Sequence, residues 1–427
     1  MKKIALLLAV IMVVAVFAVA CADEAAQPAD AEAPAETAEP AEAAEPAATD
    51  AEPAATDAEP AEADASGETF KIGVLPFWTS CPWFDPFTAG GVWYLQSKGC
   101  ETVVENAEWD TTKYIAICET WANDPDIDAV IAAPLAGEEV RRGLDEIVKA
   151  GKPLVITNNE CGKFDEVLFS VSYDAMAGCP YMAQRAVDAI KETRGEVKGT
   201  VILDLGSLTN PEHVQRAEAI KGVLAEYPDL KVKEFESEMM VDTAVTRCSD
   251  LLRTNEDTVA VIAIGQSSFI GCINAINAEG LAKPIGDPDH IVCCGMDTSA
   301  EIINENIKSG VVDFAVDQPV MAYNAIAGYY LYKYLTEGES ALPQAGTKIE
   351  ATDIDINVPI PDYATDAEQL KGMTIPGDAW APAEVIDKTE EYGHNWIKTS
   401  YTVVDQSNID DPTLFSNISG LIKDWGF

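Results

Sequence analysis

From Phe70 onward, short apolar runs alternate with helix-like stretches, and the series runs through once and then restarts near Thr200. A parallel strand covered by helices on both faces is apolar along its whole length, and a helix follows each such strand to bring the chain back. The spacing predicts strands at Lys71–Leu75, Thr102–Glu105, Ala129–Ala133 and Leu154–Thr157. Between them it predicts helices opening near Pro86 and stopping at Gly99, at Thr111–Trp121, and at Glu138–Ala150 with Gly151 closing it. The second series has strands at Thr200–Asp204, Lys231–Phe235, Val259–Ile264 and Ile291–Cys294, with helices at Glu212–Glu226, Thr243–Arg253 and Ser268–Ala278. The fold class is therefore α/β, with two doubly wound parallel-sheet lobes in series. Residues 69–427 are chain enough to give each lobe a core of its own.

What precedes the lobes is of another kind. Lys2-Lys3 is followed by an uncharged apolar run, Ile4–Ala20, and small residues, Ala18-Val19-Ala20, stand directly before Cys21. This resembles the lipobox of bacterial lipoproteins. The resemblance implies cleavage before Cys21, lipidation of its thiol and tethering to the outer face of a membrane. An uncleaved transmembrane helix is the alternative, and the run is at the short end for one. From Ala22 to Ser66 the chain is almost wholly Ala, Glu, Asp, Pro and Thr, without Lys, Arg or an aromatic, and Glu-Pro-Ala-Ala-Thr-Asp-Ala occurs at Glu45 and again at Glu52. Repeated proline and the lack of large apolar residues exclude a coiled coil, while like charges keep the segment extended. It reads as a leash.

Residues 1–68 hold 15 acids against Lys2 and Lys3, so −31 of the net charge of −44 lies on residues 69–427. Phosphate backbones need clustered cations, so nucleic-acid binding is excluded. Besides Cys21 there are nine cysteines, and most stand inside apolar stretches such as Val292-Cys293-Cys294-Gly295. There they act as small hydrophobes; export leaves disulfides as the alternative for some, though nine is odd and at least one is unpaired within the chain. No CxxC pair or His-spaced cluster points to a metal, and no cofactor loop or nucleophile motif occurs; His213, His290 and His394 are isolated.

The order of several short segments resembles the periplasmic sugar-binding proteins of ABC transporters, of the ribose-binding type. They are Ile72-Gly73-Val74, Asp85-Pro86-Phe87, Asp128-Ala129-Val130-Ile131 before Pro134, Gly151-Lys152-Pro153-Leu154-Val155, Tyr173-Asp174-Ala175-Met176-Ala177-Gly178, Cys294-Gly295-Met296-Asp297 and Asp317-Gln318-Pro319. The resemblance covers about residues 70–340. It implies a type I binding protein whose lobes close about a hinge on a ligand at the carboxyl ends of the strands, where open α/β sheets bind. It implies a ligand-binding set of Trp83, Asp85, Phe87, Asn158, Asn159, Tyr173, Gln266, Asp297 and Asp317, with Arg216 as a further candidate on the Asn210–Ala219 segment. Aromatics would cover the C–H faces of a sugar and carboxylates and amides its hydroxyls. Asn158-Asn159 stands where such proteins usually have Asp-Arg, so recognition differs from that of ribose. Few cations accompany these acids, which favours a neutral polyhydroxyl or a cationic ligand over sugar phosphates.

The expected organisation is a signal peptide over 1–20, the lipidated Cys21 and leash over 21–68, lobe one from 69–173 with 318–349, lobe two from 174–317 with a returning strand in 350–358, and a C-terminal extension over 359–427. The lobes would be joined by crossings near Tyr173, Asp317 and Glu350. The expected partners are a small sugar or polyol, an ABC permease and the membrane holding the anchor, and a monomer is expected. A sensory receptor is the alternative, and a glycosidase using paired carboxylates such as Asp85 and Asp297 a more remote one.

Overall fold

The computed structural model describes residues 69–79 and 83–427. The segments expected to be a signal peptide and a leash, Cys21 between them, and Cys81 lie outside the described residues. Lobe one opens with β1 (Lys71–Leu75), α1 (Phe84–Ser97), β2 (Glu101–Val104), α2 (Thr111–Asn123), β3 (Ala129–Ala132), α3 (Arg141–Lys149), β4 (Leu154–Thr157) and β5 (Phe169–Tyr173). Lobe two follows with α4 (Ala175–Arg194), β6 (Gly199–Asp204), α5 (Pro211–Leu224), β7 (Leu230–Phe235), α6 (Val241–Thr254), β8 (Thr258–Ala263), α7 (Gln266–Ala278), β9 (Val292–Met296), α8 (Glu301–Ser309) and β10 (Phe314–Asp317). After these come α9 (Val320–Glu337), β11 (Lys348–Ile349), β12 (Val358–Pro359), β13 (Thr374–Ile375), β14 (Ala383–Asp387), β15 (Asn395–Thr399), β16 (Thr402–Asp405) and α10 (Phe415–Ser419).

The central strands carry no polar face. Ala129–Ala132, Leu154–Thr157, Gly199–Asp204 and Thr258–Ala263 are buried at every residue, as strands between two helical layers must be. Local chemistry starts the helices between them. Asp110 Oδ1 accepts from the Thr112 and Lys113 amides at 2.7 and 3.1 Å ahead of α2, and Asn210 caps α5 with Pro211 behind it. Asp174 caps α4, accepting from the Ala177 amide at 3.1 Å, and also pairs with Lys398 at 3.2 Å.

The parallel strands of lobe one stand in the order β5-β4-β3-β1-β2 and those of lobe two in the order β10-β9-β8-β6-β7. The two lobes are thus the same winding used twice, with β1, β2, β3, β4 and β5 equivalent to β6, β7, β8, β9 and β10. Helix α9 returns to lobe one and packs along α1; a Cβ on Gly90 would meet the Met321 carbonyl at 1.9 Å, so that approach requires glycine.

The end of the chain corrects the expected organisation. Residues 350–358 do not supply lobe two with a strand. Ile354, Ile356, Val358 and Ile360 alternate as a strand would and are buried, but Pro359 and Pro361 lack the N–H that a sheet interior needs. Only Val358–Pro359 pairs, and with β13. Residues 359–427 are not an appendage either. β15 adds parallel to β5, from Asn395 opposite Phe169 to Thr399 opposite Tyr173, and β14 and β11 extend that sheet antiparallel. β16 then closes lobe two's sheet against β10, with Phe314 opposite Asp405. The third crossing is therefore at residues 400–401 and not near Glu350. Beyond β16, Ile409 and Leu414 join lobe two's core, and the chain returns to lobe one, where Trp425 stacks on Trp93 at 5.7 Å.

Eight cysteines of the two lobes are free and buried, and burial pushes the Cys118 thiol up to about 12. Among the described residues no cluster of His, Cys, Asp or Glu is arranged to hold a metal, and no helix is long and apolar enough to cross a membrane.

Candidate functional site

The carboxyl ends of both sheets face one another across a cavity of about 290 Å³. Lobe one lines it with Trp78, Trp83 and Phe84 after β1, Glu108 and Trp109 after β2, Leu135 after β3 and Asn158 after β4. Lobe two answers with Glu212, His213 and Arg216 of α5 after β6, Glu238, Met239 and Met240 after β7, Gly265, Gln266 and Ser267 after β8, Asp297 after β9 and Gln318 after β10.

Backbone strain is concentrated on this wall. Six described non-glycine residues have left-handed φ, namely Glu108 (53°), Trp109 (62°), Asn158 (70°), Glu238 (55°), Met239 (57°) and Asp297 (69°), and all six line the cavity. Such conformations cost on the order of 1 kcal/mol or more each, and they persist where surrounding structure enforces them for a purpose. They also obey the duplication of the fold. Glu108-Trp109 follows β2 as Glu238-Met239 follows the equivalent β7, and Asn158 follows β4 as Asp297 follows β9. Each lobe thus aims one polar side chain from beside the hinge and a pair of residues from the outer lip of the cleft.

The inner wall is a buried polar network with spare capacity. The Arg216 guanidinium donates to Glu212 Oε1 and to the Ile264 carbonyl, both at 2.7 Å, and lies 5.2 Å from the centre of the Tyr173 ring. Burial opposes its charge, but Glu212, Tyr173 and Asp297 outweigh that and hold it protonated. Burial raises Glu212 and Asp297 above the ordinary carboxylate range, with Arg216 pulling both back. The Gln318 amide donates to Asp297 Oδ1 at 2.8 Å and is itself fixed by the Tyr323 hydroxyl, which donates to its oxygen at 3.0 Å. His213 is held neutral, pushed down to about 3 by burial and then by Arg216. Its Nδ1 accepts from the Ser207 amide at 3.1 Å, so the proton sits on Nε2. Two buried polar atoms on cavity-lining side chains have no partner, Asn158 Oδ1 and Arg216 Nε, and the indole N–H of Trp83 is directed at Asp297. Unpaired buried groups are costly, so this acceptor and this donor are spare capacity on the wall.

Of the residues expected from the sequence, Trp83, Asn158, Gln266 and Asp297 line the cavity, as does Arg216. The others do not. Asp85 occupies the first turn of α1, where a carboxylate suits the helix N-terminus. Phe87 is buried and stacks behind Trp83 at 5.1 Å, and Phe84 takes the cleft position instead. Asn159 bridges the lobes, donating to Asn210 Oδ1 at 2.8 Å, and receives a bond from the Asn158 amide. Tyr173 supports Arg216 from below. Asp317 lies behind Asp297, accepting from the Thr298 amide at 3.1 Å and its hydroxyl at 2.8 Å. Burial, and after it the charge of Asp297, pushes Asp317 up to about 7. Sequence reading missed Glu108, Trp109, Glu212, His213, Glu238, Met239, Met240 and Gln318 as lining residues. The one signal for the outer pairs is their position in loops after the predicted strands Thr102–Glu105 and Lys231–Phe235.

Residues 72–340 match the family model described as a periplasmic binding protein domain. No curated protein sequence matches the chain. Among solved structures, it is similar to an ABC transporter solute binding protein from Agrobacterium vitis bound with alpha-D-tagatopyranose, with 18% identity, a TM-score of 0.60, and 81% of this chain and 97% of that one covered. A periplasmic solute binding protein from Actinobacillus succinogenes with bound D-allose gives 18%, 0.58, 80% and 100%. One from Bacillus halodurans with bound myo-inositol gives 16%, 0.59, 82% and 99%. The matched span takes in β2 to β10 and all but the first residue of β1, and the chain belongs to the periplasmic binding protein domain family.

Proposed function

We propose that this protein is an extracytoplasmic receptor that closes on a small neutral polyhydroxyl ligand, a sugar or polyol, and hands it to an ABC permease. The observation that carries this is the facing pair Asn158 and Asp297, one from each lobe, set in an aromatic-walled cavity with an unpaired acceptor at Asn158 and an unpaired donor at Arg216. A ring bound there would lay its C–H faces on Trp83 and Phe84. Its hydroxyls would donate to Asp297 and to Asn158 Oδ1 and accept from Arg216 Nε and His213 Nε2. Because Asn158 and Asp297 belong to different lobes, such a ligand stabilises the closed form and ties occupancy to shape, which is what a permease can read. Arg216 is the one cation among the described lining residues and is committed to Glu212 at 2.7 Å, with Asp297 beside it, which disfavours phosphorylated or acidic sugars. The similar structures named above hold tagatose, allose and inositol, which supports the ligand class. Cys21 and the acidic leash would keep the receptor near its permease as a lipid-anchored monomer. Binding without chemistry is the expected mode, since Glu212 is committed to Arg216 and Asp297 to Gln318.

A thermal-shift panel of sugars, polyols, nucleosides, amino acids and amines tests the proposal. A ligand at a hundred times its Kd contributes about 2.7 kcal/mol, a rise of about 5–10 °C for lobes of this size. If another class raises the melting temperature while no polyhydroxyl does, the assignment is wrong.

A further inference from the structure

The cavity has two storeys. Its inner storey is shut. Trp83, Phe84, Asn158, His213, Arg216 and Asp297 are all buried, and the lobes already touch beside them through the Asn159–Asn210 hydrogen bond and the Tyr173–Arg216 contact. The outer storey, at the lip farthest from the hinge, remains open: Trp78 is 39% exposed, Trp109 44% and Met240 59%. With the inner lobes in contact, this exposure does not come from a cleft standing wide. Large apolar side chains exposed together across a gap mark a surface that awaits cover. Trp78 and Trp109 meet edge to face at 6.1 Å on one lip, and Met239 and Met240 stand on the other. The positions are enforced, since Trp109 and Met239 both hold left-handed φ that neither residue favours. The flanking acids are already neutralised locally, Glu108 by Lys113 at 2.9 Å and Glu238 by Arg247 at 3.3 Å, so the lips do not call for a cation. Two indoles opposite two thioethers fit a flat, uncharged, ring-sized body.

We propose that the ligand is a glycoside of two rings, whose inner ring fills the buried storey and whose outer ring is clasped between Trp78 and Trp109 on one lip and Met239 and Met240 on the other. This rests on the polyhydroxyl reading of the inner storey and adds a second subsite to it. The outer ring is either a second sugar or an aglycone, and both share the neutral planar face that the lips accept.

Calorimetric titration of the full globular chain with monosaccharides, the disaccharides built from them and the matching phenyl glycosides tests this. The expected result is that a two-ring ligand binds at least about tenfold tighter than its inner ring alone, the worth of roughly 1.4 kcal/mol of added contact. The ratio should fall toward unity in Met240→Ala and in Trp109→Gly, the latter chosen because glycine accepts the backbone there. Preference for a disaccharide over the phenyl glycoside assigns the outer storey to a sugar, and the reverse to an aglycone. A monosaccharide that binds as tightly as any two-ring ligand, or a two-ring preference that survives both variants, overturns the second subsite and leaves the polyhydroxyl reading standing. Failure of every sugar and glycoside to bind overturns both.

Discussion

Replacing Asp317 by asparagine should stabilise the protein above neutral pH, although the residue is buried and well bonded. The carboxyl accepts two hydrogen bonds from Thr298 and stands behind Asp297 at the second crossing. Burial, then the Asp297 charge, lifts it from 3.8 to about 7. An acid whose folded pKa is raised binds its proton more tightly when folded, so its contribution is fully present below the unfolded value and is lost as pH rises from 3.8 through about 7. At pH 8 the folded protein carries an ionised group that it disfavours by up to about 4 kcal/mol, at 1.36 kcal/mol per pH unit of displacement. Asparagine removes that charge and forfeits one of the two Thr298 bonds, about 1 kcal/mol. Asp317→Asn should therefore exceed wild type by about 2–3 kcal/mol at pH 8 and fall about 1 kcal/mol below it at pH 4. Urea denaturation of both proteins across this range measures the difference, and His213, common to both, cancels. A gap between variant and wild type that does not change with pH would show that folding leaves the Asp317 carboxyl in the ordinary range.

Asp297→Asn should weaken binding of the best polyhydroxyl ligand by about 10–100-fold, the worth of charge-assisted hydrogen bonds, as read by calorimetry. Arg216→Met leaves Glu212 buried without its partner and should cost about 3–5 kcal/mol of stability. Adding Glu212→Gln should recover much of that in denaturation curves while ligand affinity stays lost. His213 is neutral when folded, down to about 3, and protonates near 6.5 when unfolded, so its contribution is lost as pH falls through that window. His213→Asn, whose side-chain oxygen can take the place of Nδ1 on the Ser207 amide, should lose less stability than wild type between pH 7 and pH 4.5.

The doubly wound lobes are legible because their central strands, such as Ala129–Ala132 and Leu154–Thr157, are apolar from end to end and no other class buries such runs between helices. The strands of the chain's end are not. Asn395–Thr399 and Thr402–Asp405 are short and mixed in polarity, and the first pairs with Phe169–Tyr173, more than two hundred residues upstream. No local signal carries a pairing that distant. At the site, Asn158, Gln266 and Asp297 are legible because each directly follows a readable strand. Phe87 was misplaced because α1 opens at Phe84, two residues before the expected start. With that start, Phe84 meets the cleft and Phe87 the core behind Trp83. Asp317 ends a strand as expected, but its carboxyl turns to Thr298. Trp109 and Met239 escaped notice because what aims them is a left-handed backbone at residues that do not advertise one.

A ligand that joins the two lobes at their equivalent strand ends should be visible in a crystal structure with the tightest binder from the sugar and polyol panel. Ring hydroxyls are expected within hydrogen-bond reach of both Asn158 and Asp297, with Trp83 over a ring face. A ligand held by one lobe alone, or seated away from these two residues, would contradict that bridging.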